Sequence, residues 1–158
     1  MGQGGRRLNG DVVTLVPIDE DNVRAVFDLK VGTHQEDFVA PNAWSLAQAV
    51  AEASIAWPRA VFAGDQIVGF LMLEIDPEEE DGRPFWLWRL MIGEGLQRRG
   101  YGTAALELAI EEVRRRGGTV IYTSWVQHPD GPGSFYLRHG FEPTGEIDDG
   151  EVVARRRL

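Results

Sequence analysis

The chain has 158 residues, a formal net charge of −9 and no cysteine. This length fits one domain with its own core, and the absence of cysteine excludes disulfides, thiolate metal sites and a cysteine nucleophile. The acidic surface repels nucleic-acid phosphate, and no apolar run reaches the roughly 20 residues of a membrane span, so we expect a cytoplasmic protein without nucleic-acid or membrane partners.

The predicted elements follow from hydrophobic spacing, which alternates in strands and repeats about every 3.6 residues in helices. Residues 1–10 contain glycines and arginines without an apolar stretch, so we expect a flexible tail followed by a single domain over residues 11–158. In chain order, the domain is predicted to contain a strand at 12–18, a helix capped by Asp19, a helix at 45–55, strands at 59–63, 66–76 and 85–92, a helix at 101–116, a strand at 119–126, a short helix at 134–139 and two closing strands within 141–158.

The segment from Arg89 to Thr103 carries the strongest functional signal. A strand of the buried type runs through glycines directly into the longest predicted helix, and Arg98 and Arg99 stand beside the junction. Glycines let backbone N–H groups turn toward a ligand, and the first turn of a helix adds further donors and the positive end of its dipole. This pattern predicts an anion site suited to a phosphate-bearing cofactor.

Three other interpretations compete for this segment. A Walker loop needs a lysine after its last glycine, and Thr103 follows Gly102 instead. A Rossmann fingerprint requires a glycine where Arg98 stands, and no acidic residue follows about 20 residues later to bind a ribose. The third interpretation is a tight strand-to-helix connection without a ligand, which the two adjacent arginines disfavour.

The sequence resembles the GNAT acetyltransferase superfamily. Residues 97–102 (QRRGYG) match its Q/R-x-x-G-x-G/A pyrophosphate loop, and residues 134–141 (SFYLRHGF) match its later FY-x-x-x-GF segment. A looser likeness, at residues 35–42, 45–49 and 88–91, is to bacterial spermidine and spermine acetyltransferases. The resemblance implies an α/β fold with a mixed, mostly antiparallel central sheet that is flanked by helices and splayed near Ile92. It also implies acetyl-coenzyme A as the acetyl donor and an amine as the acceptor.

The resemblance further implies particular site residues. The backbone of Leu90, Met91 and Ile92 would pair with the pantetheine arm as an added strand, and Tyr136 would protonate the departing coenzyme A thiolate. The pyrophosphate would be held by the amides of Gln97, Arg98, Arg99, Gly100, Tyr101, Gly102 and Thr103. The chain departs from the superfamily at residues 127–133, which lack the asparagine that usually contacts the cofactor.

Acetyl transfer also needs a neutral amine and a proton donor, and without cysteine we expect direct attack in a ternary complex. Glu74, near the end of the strand beside the central strand, is the candidate general base, and a solvated strand end is its alternative. Tyr136 has the alternative of a core aromatic, but we expect only one of Phe135 and Tyr136 to face the core. The histidines do not cluster at metal-ligand spacing, so no metal site is predicted. His128 is either an ordinary loop residue, a base or a cofactor contact.

The acceptor is expected to be a small flexible cation. Glu36 and Asp37 lie in the loop between the first two helices, which borders the acceptor pocket in similar enzymes, and they would attract a polyamine together with Glu74. Amine antibiotics and protein N-termini are alternative acceptors, and the negative charge has the alternative role of maintaining solubility. A non-catalytic acyl-coenzyme A sensor is the second functional class, and assembly into a homodimer is left open.

Overall fold

The computed structural model describes residues 4–158, which build an eight-stranded sheet with helices on both faces. The strands are β1 (Arg6–Leu8), β2 (Asp11–Pro17), β3 (Ala56–Ala63), β4 (Gln66–Ile75), β5 (Phe85–Ile92), β6 (Val120–Val126), β7 (Glu142–Asp148) and β8 (Glu151–Arg157). The helices are α1 (Val23–Asp28), α2 (Asn42–Ala51), α3 (Tyr101–Arg115) and α4 (Gly133–Arg138), with a 3₁₀ turn at Thr33–Gln35. No helix in this part of the chain has the length and apolar character to cross a membrane.

The strands lie in the order β1-β2-β3-β4-β5-β6-β8-β7. All neighbouring strands are antiparallel except β5 and β6, which are parallel and therefore need a crossover connection. The long helix α3 makes this crossover, so its first turn lies at the carboxyl end of β5. The predicted mixed α/β fold with a mostly antiparallel sheet is confirmed.

Strands β5 and β6 pair over a short stretch and then separate. The pairs are Trp86↔Tyr122 and Leu87↔Thr123, whereas β5 remains paired with β4 up to Ile92. Beyond Leu87, no strand of the described chain lies against this edge of β5. The sheet therefore opens earlier along the strand than the splay predicted near Ile92.

A β-bulge in β5 accompanies this opening. On the β4 side, Met72 pairs with Arg89 and Leu73 pairs with Leu87, which leaves Trp88 as an extra residue. Such a bulge bends the strand, increases its twist and breaks the regular alternation of side chains. After the bulge, Arg89 points to the face of the sheet that α2 covers.

Two buried clusters hold the helices against the sheet. The predicted apolar face of α3 is confirmed, because five of its side chains are fully buried: Ala105, Leu106, Ala109, Ile110 and Val113. On the opposite face, α1 and α2 cover a smaller cluster that contains Val26, Phe70, Met72 and Met91. Each fully buried aliphatic or aromatic side chain contributes roughly 1.5–3 kcal/mol. These clusters therefore fix the two helical layers on either side of the opening.

The amino-terminal segment differs from the prediction. Arg6–Leu8 form a strand that pairs with β2 through a turn at Asn9 and Gly10, both with positive φ. The expectation of a flexible tail over residues 1–10 is wrong for this strand, and residues 1–3 lie outside the described residues. The hairpin forms because pairing with β2 satisfies backbone groups of a segment that has little apolar surface of its own.

Asp19 caps a turn instead of a helix. Its Oδ1 accepts hydrogen bonds from the N–H groups of Asp21 and Asn22 at 3.0 and 3.1 Å, and α1 begins only at Val23. The Asn22 side chain in turn donates to the carbonyl of Pro17 at 2.8 Å. Local side-chain bonding of this kind competes with helix formation, which explains the later start of α1.

Strand β4 ends at a group of three carboxyl groups. The carboxylate oxygens of Glu74, Asp76 and Glu79 lie within 4.8 Å of one another. Burial raises the pKa of Glu74 from its ordinary value of 4.5 to about 7; the charges of Glu79 and Asp76 act in the same direction, and a hydrogen bond with Trp88 partly opposes them. The fold therefore favours the protonated form of Glu74.

Glu74→Gln is expected to raise the melting temperature at pH 8 and to leave it unchanged at pH 4. The pKa of Glu74 is raised on folding, so its stabilising effect is complete below pH 4.5 and is lost as the pH rises through about 7. Glutamine stays neutral at every pH, so at pH 8 the variant keeps about 1 kcal/mol of unfolding free energy that the wild type loses, a figure already reduced for solvent screening. This difference corresponds to about 2–4 °C in melting temperature. The control is Glu80→Gln, an exposed residue of the same loop. If the melting temperatures of Glu74→Gln and wild type differ by the same amount at every pH, the raised pKa of Glu74 is contradicted.

Candidate functional site

A cleft of about 810 Å³ lies where β5 and β6 separate. Its walls come from β5, the loop from Leu96 to Thr103 at the head of α3, the loop over residues 35–41 before α2, helix α4, and parts of β6 and β8. The cleft therefore brings together a helix amino terminus, an unpaired strand edge and several ionisable side chains.

The loop at the head of α3 turns through three residues with left-handed backbone. The φ angle is 76° at Gly95, 61° at Arg98 and 88° at Gly100, and Gly100 is the N-cap of α3. Within residues 4–158, none of the backbone N–H groups of residues 97–103 donates a hydrogen bond to a protein acceptor. A run of free donors at a helix amino terminus is the arrangement that binds phosphate.

The two arginines of this loop occupy different positions. Arg98 forms part of the cleft wall. The guanidinium of Arg99 turns back on the loop, where its Nη2 donates to the carbonyl of Gly95 at 3.0 Å, and Arg99 does not line the cleft. Arg98 therefore offers its charge to a ligand, whereas the Arg99 side chain holds the loop and leaves only its backbone N–H available.

Gln97 connects this loop to two other segments. Its Nε2 donates to the carbonyl of Ile92 at 3.0 Å and to Oε1 of Gln35 at 2.7 Å, and Gln35 Nε2 donates back to Gln97 Oε1 at 3.0 Å. The two amides thus pair reciprocally across the rim of the cleft. The pair joins the loop over residues 35–41 to the head of α3.

The free edge of β5 forms one side of the cleft. Leu90, Met91 and Ile92 all line it, and the Oγ1 of Thr123 donates to the carbonyl of Leu87 at 3.1 Å, just before the edge becomes free. An unpaired edge offers backbone donors and acceptors to an added extended chain. The position of these three residues supports their predicted part in binding a pantetheine arm.

Tyr136 lies on α4 and reaches the cleft although it is only 7% exposed. Its ring stacks on Trp125 with 5.5 Å between centroids and meets the ring of Phe141 edge-on. Burial raises the pKa of Tyr136 to about 12, and the hydroxyl of Thr123 partly opposes this rise. The phenol therefore keeps its proton at neutral pH and is available as a donor.

Phe135 packs against the same buried cluster as Tyr136. A Cβ atom on Gly102 of α3 would lie 3.6 Å from the Phe135 ring, while Tyr136 stacks on Trp125 of β6. The expectation that only one of these two neighbours faces the core is wrong, because α4 is packed between α3 and β6 and buries side chains on two of its sides.

His139 is a cleft residue that the sequence interpretation did not assign to the site. Its Nδ1 lies 2.7 Å from the carbonyl oxygen of Phe135, and its Nε2 lies 2.9 Å from Oγ1 of Thr103. Because a carbonyl only accepts, Nδ1 carries a proton and donates to Phe135, while Nε2 and the Thr103 hydroxyl share the second hydrogen bond. His139 thus orients a hydroxyl in the first turn of α3, a contact that no local pattern indicates.

The cleft is also lined by charged and aromatic side chains. Glu36 and Asp37 line it from exposed loop positions, and Trp86, Trp88 and Arg89 line it from β5. Arg89 donates from Nε to the Oγ of Ser45 at 3.2 Å and from Nη2 to the Oε1 of Gln48 at 3.1 Å. Burial lowers the pKa of this guanidinium, which is bound by neutral side chains of α2.

Glu74 and His128 are not brought into this arrangement. Glu74 lies on β4, which flanks β5 on the side away from the opening, and it is not part of the cleft wall. Its position therefore does not support the predicted role as general base. His128 also lies outside the wall, with its ring 5.2 Å from that of Phe38. A carboxylate missed by the sequence interpretation, Glu151, does line the cleft.

Solved structures of low sequence identity share this fold. The PaiA N-acetyltransferase of Thermoplasma acidophilum, solved with coenzyme A, is 15% identical, with 92% of this chain and 99% of that chain covered and a TM-score of 0.68. The GNAT domain of PAT from S. lividans is 16% identical, with 99% and 97% covered and a TM-score of 0.75. A GNAT family acetyltransferase of Elizabethkingia anophelis, with acetyl-CoA bound, is 13% identical, with 92% and 98% covered and a TM-score of 0.64.

The family comparison covers most of the parts of the chain that form the cleft. No curated protein sequence matches the chain. The sequence matches the family described as Acetyltransferase (GNAT) over residues 23–141, a range that contains β5, the loop at the head of α3, and α4. The chain belongs to the GNAT family of acetyltransferases.

Proposed function

We propose that the protein transfers the acetyl group of acetyl-coenzyme A to a primary amine of a small molecule, by direct attack while both substrates are bound. The observation that carries this proposal is the run of free N–H groups at residues 97–103. These groups lie beside a cleft that the free edge of β5 also lines. A pyrophosphate fits such donors, and an extended pantetheine arm fits such an edge. The T. acidophilum and E. anophelis proteins of the same fold were solved with coenzyme A and acetyl-CoA.

Each part of the donor has a partner in this proposal. The pyrophosphate lies against the backbone of residues 97–103 and the charge of Arg98, and the pantetheine arm pairs with Leu90–Ile92. Tyr136 donates its proton to the departing thiolate, because its phenol is still protonated at neutral pH. The chain contains no cysteine for a covalent acetyl intermediate, which favours direct transfer.

A thiol-release assay with acetyl-coenzyme A and a panel of amines tests this function. Release of coenzyme A that depends on an amine is the expected result. Tight binding of acetyl-coenzyme A without turnover of any amine would identify a binding module or sensor instead. Absence of binding at millimolar concentration would contradict the donor assignment itself.

Gly100→Asp is expected to weaken acetyl-coenzyme A binding by about 10–100-fold, because it adds a negative charge where the pyrophosphate binds. Gly100→Asn is the matched control, since asparagine has the same shape, tolerates positive φ and carries no charge. Both side chains meet Leu8, whose Cδ atoms would lie 3.2 Å from the new Cβ. Calorimetric titration and thermal melting of both variants measure the effect. Equal affinity in the two variants would show that no phosphate lies at this position.

Tyr136→Phe is expected to lower kcat by about 100-fold with little change in KM for acetyl-coenzyme A, because the proton is given only in the transition state. Tyr122→Phe is the control, because Tyr122 does not line the cleft. This variant also loses a phenol hydroxyl and keeps the ring that stacks on Trp86. Steady-state kinetics of the two variants decide the matter. Full activity of Tyr136→Phe would remove this residue from the mechanism.

A polyamine such as spermidine is the acceptor that we propose. The cleft wall contains the carboxylates of Glu36, Asp37 and Glu151 and the rings of Trp86 and Trp88. Carboxylates and aromatic faces both attract flexible organic cations. The net charge of −9 acts in the same direction at long range. The looser sequence likeness to spermidine and spermine acetyltransferases agrees with this choice.

The double variant Glu36→Gln/Asp37→Asn is expected to lower kcat/KM for spermidine about tenfold at low salt. The difference from wild type should vanish at high salt, because the Debye length falls from about 10 Å at 0.1 M to about 3 Å at 1 M. The control is Glu20→Gln/Asp21→Asn, which removes two exposed charges outside the cleft. Equal effects of the two double variants would show that the charges act only through the net charge, and lack of polyamine turnover would exclude this acceptor.

A further inference from the structure

Four carboxyl groups line the cleft, and one of them differs from the rest. Glu36, Asp37 and Asp130 stand in exposed loop positions. Glu151 is the first residue of β8 and is partly buried. A carboxylate that is held on a strand keeps a fixed position, whereas loop carboxylates move. Glu151 is therefore the carboxylate in the cleft that is best suited to chemistry.

A tight turn and two strand pairings fix the position of Glu151. Asp149 and Gly150, with φ angles of 46° and 81°, form a two-residue turn that pairs Asp148 with Glu151. On its other side, β8 pairs with β6 so that Glu151 lies opposite Val126. Strand side chains alternate between faces, so the side chain of Glu151 lies on the same face as that of Ser124, two positions before Val126.

One carboxylate oxygen of Glu151 is bound and the other is free. Ser124 Oγ donates to Glu151 Oε2, and no residue of the described chain donates to Oε1 or forms an ion pair with it. Ser124 also lines the cleft. The hydroxyl thus orients the carboxylate and leaves one oxygen for a ligand.

Glu151 lies within electrostatic reach of the groups on both sides of the opening. Its negative charge contributes to the raised pKa of Tyr136 on α4 and acts against the lowered pKa of Arg89 on β5. On β7, Asp148 pairs with it across the turn. Both side chains line the cleft, and they contact adjacent residues of β6, because Glu151 accepts from Ser124 and Tyr136 stacks on Trp125.

We propose that Glu151 binds the ammonium group of the acceptor and acts as the general base, with Ser124 as its positioning residue. This inference rests on the proposed function and replaces Glu74 as the candidate base. A carboxylate of this kind has two roles. It attracts the cationic amine, and it then removes the proton that occupies the lone pair of the amine nitrogen.

The proton transfers of this mechanism balance. Glu151 takes one proton from the ammonium group, and the neutral nitrogen forms a bond with the thioester carbonyl carbon. The carbon–sulfur bond breaks, and the thiolate takes the proton of Tyr136. The new amide nitrogen returns its surplus proton to the Tyr136 oxygen, and Glu151 releases its proton to solvent. One proton is therefore released for each amide formed.

The test compares Glu151→Gln with Glu74→Gln, the variant of the competing candidate, and with Asp148→Asn, which removes a charge from the same hairpin outside the cleft. Glutamine can still accept the Ser124 hydrogen bond but cannot take a proton. We expect Glu151→Gln to lower kcat/KM for the amine about 100-fold at pH 7. The loss should shrink about tenfold per pH unit up to pH 9, as free amine with a pKa near 10 accumulates.

Two further measurements separate chemistry from folding. Calorimetric titration should give unchanged acetyl-coenzyme A affinity for Glu151→Gln, and a changed affinity or an early thermal transition would indicate a structural effect. Ser124→Ala keeps the carboxylate, loses its orienting bond and should lower kcat about 5-fold. If Glu151→Gln does not fold, a fully active Ser124→Ala variant, with no change in its pH profile, overturns the proposal.

The possible failures are distinguishable. If wild-type protein acetylates no amine, the proposed function fails and the inference fails with it. If wild-type protein is active and Glu151→Gln stays within twofold of it between pH 7 and pH 9, only the role of Glu151 is overturned. A loss that is the same at every pH, or one that appears in Glu74→Gln instead, also overturns it.

Discussion

Beyond Leu87, β5 has hydrogen-bonding groups on one edge and no strand within residues 4–158 to receive them. Buried backbone N–H and C=O groups need partners, so an opening inside a sheet is stable only where side chains, water or a ligand supply them. Here the two ends of the free edge are closed by side chains, Thr123 at the carbonyl of Leu87 and Gln97 at the carbonyl of Ile92. The stretch between them is left for an extended ligand.

Packing on both faces of the sheet keeps β5 and β6 apart at the opening. The buried stripe of α3 holds its first turn at the end of β5. On the other face, the buried side chain of Asn42, at the start of α2, donates to the carbonyl of Val26 in α1 at 2.8 Å and lies 3.6 Å from the sulfur of Met91 in β5. Because these contacts join α1, α2 and β5, the loop that leads into α2 has a fixed end beside the cleft.

Local patterns were sufficient to predict most of the elements and the loop at the head of α3. The spacing of Ala105 to Val113 predicted the buried face of α3, and the glycines and arginines before Tyr101 predicted the loop that lines the cleft at the head of α3. The strand order is a long-range property, and it is the reason that the position of Glu74 does not support its predicted role as base. Glu74 is close to the central strand in sequence, but the sheet opens on the other side of β5, where the last strand supplies Glu151.

The contacts of Gln35 and His139 could not be predicted from local sequence patterns either. Each depends on a partner in a distant part of the chain, Gln97 for the first and Thr103 for the second, and a side chain that bonds across such a distance leaves no periodic signal. The early strand at Arg6–Leu8 was missed for a related reason, since its order comes from pairing with β2 and two of its three residues are arginines.

The reciprocal pair of Gln35 and Gln97 is the connection between the two rims of the cleft, and it is made of neutral amides. Seven charged side chains also line the cleft, and their attraction changes with salt and with protonation. An amide neither titrates in the ordinary pH range nor loses strength by ionic screening. The two rims therefore remain joined while the field around them varies, and a ligand that binds the side-chain amide of Gln97 would have to compete with Gln35 for it.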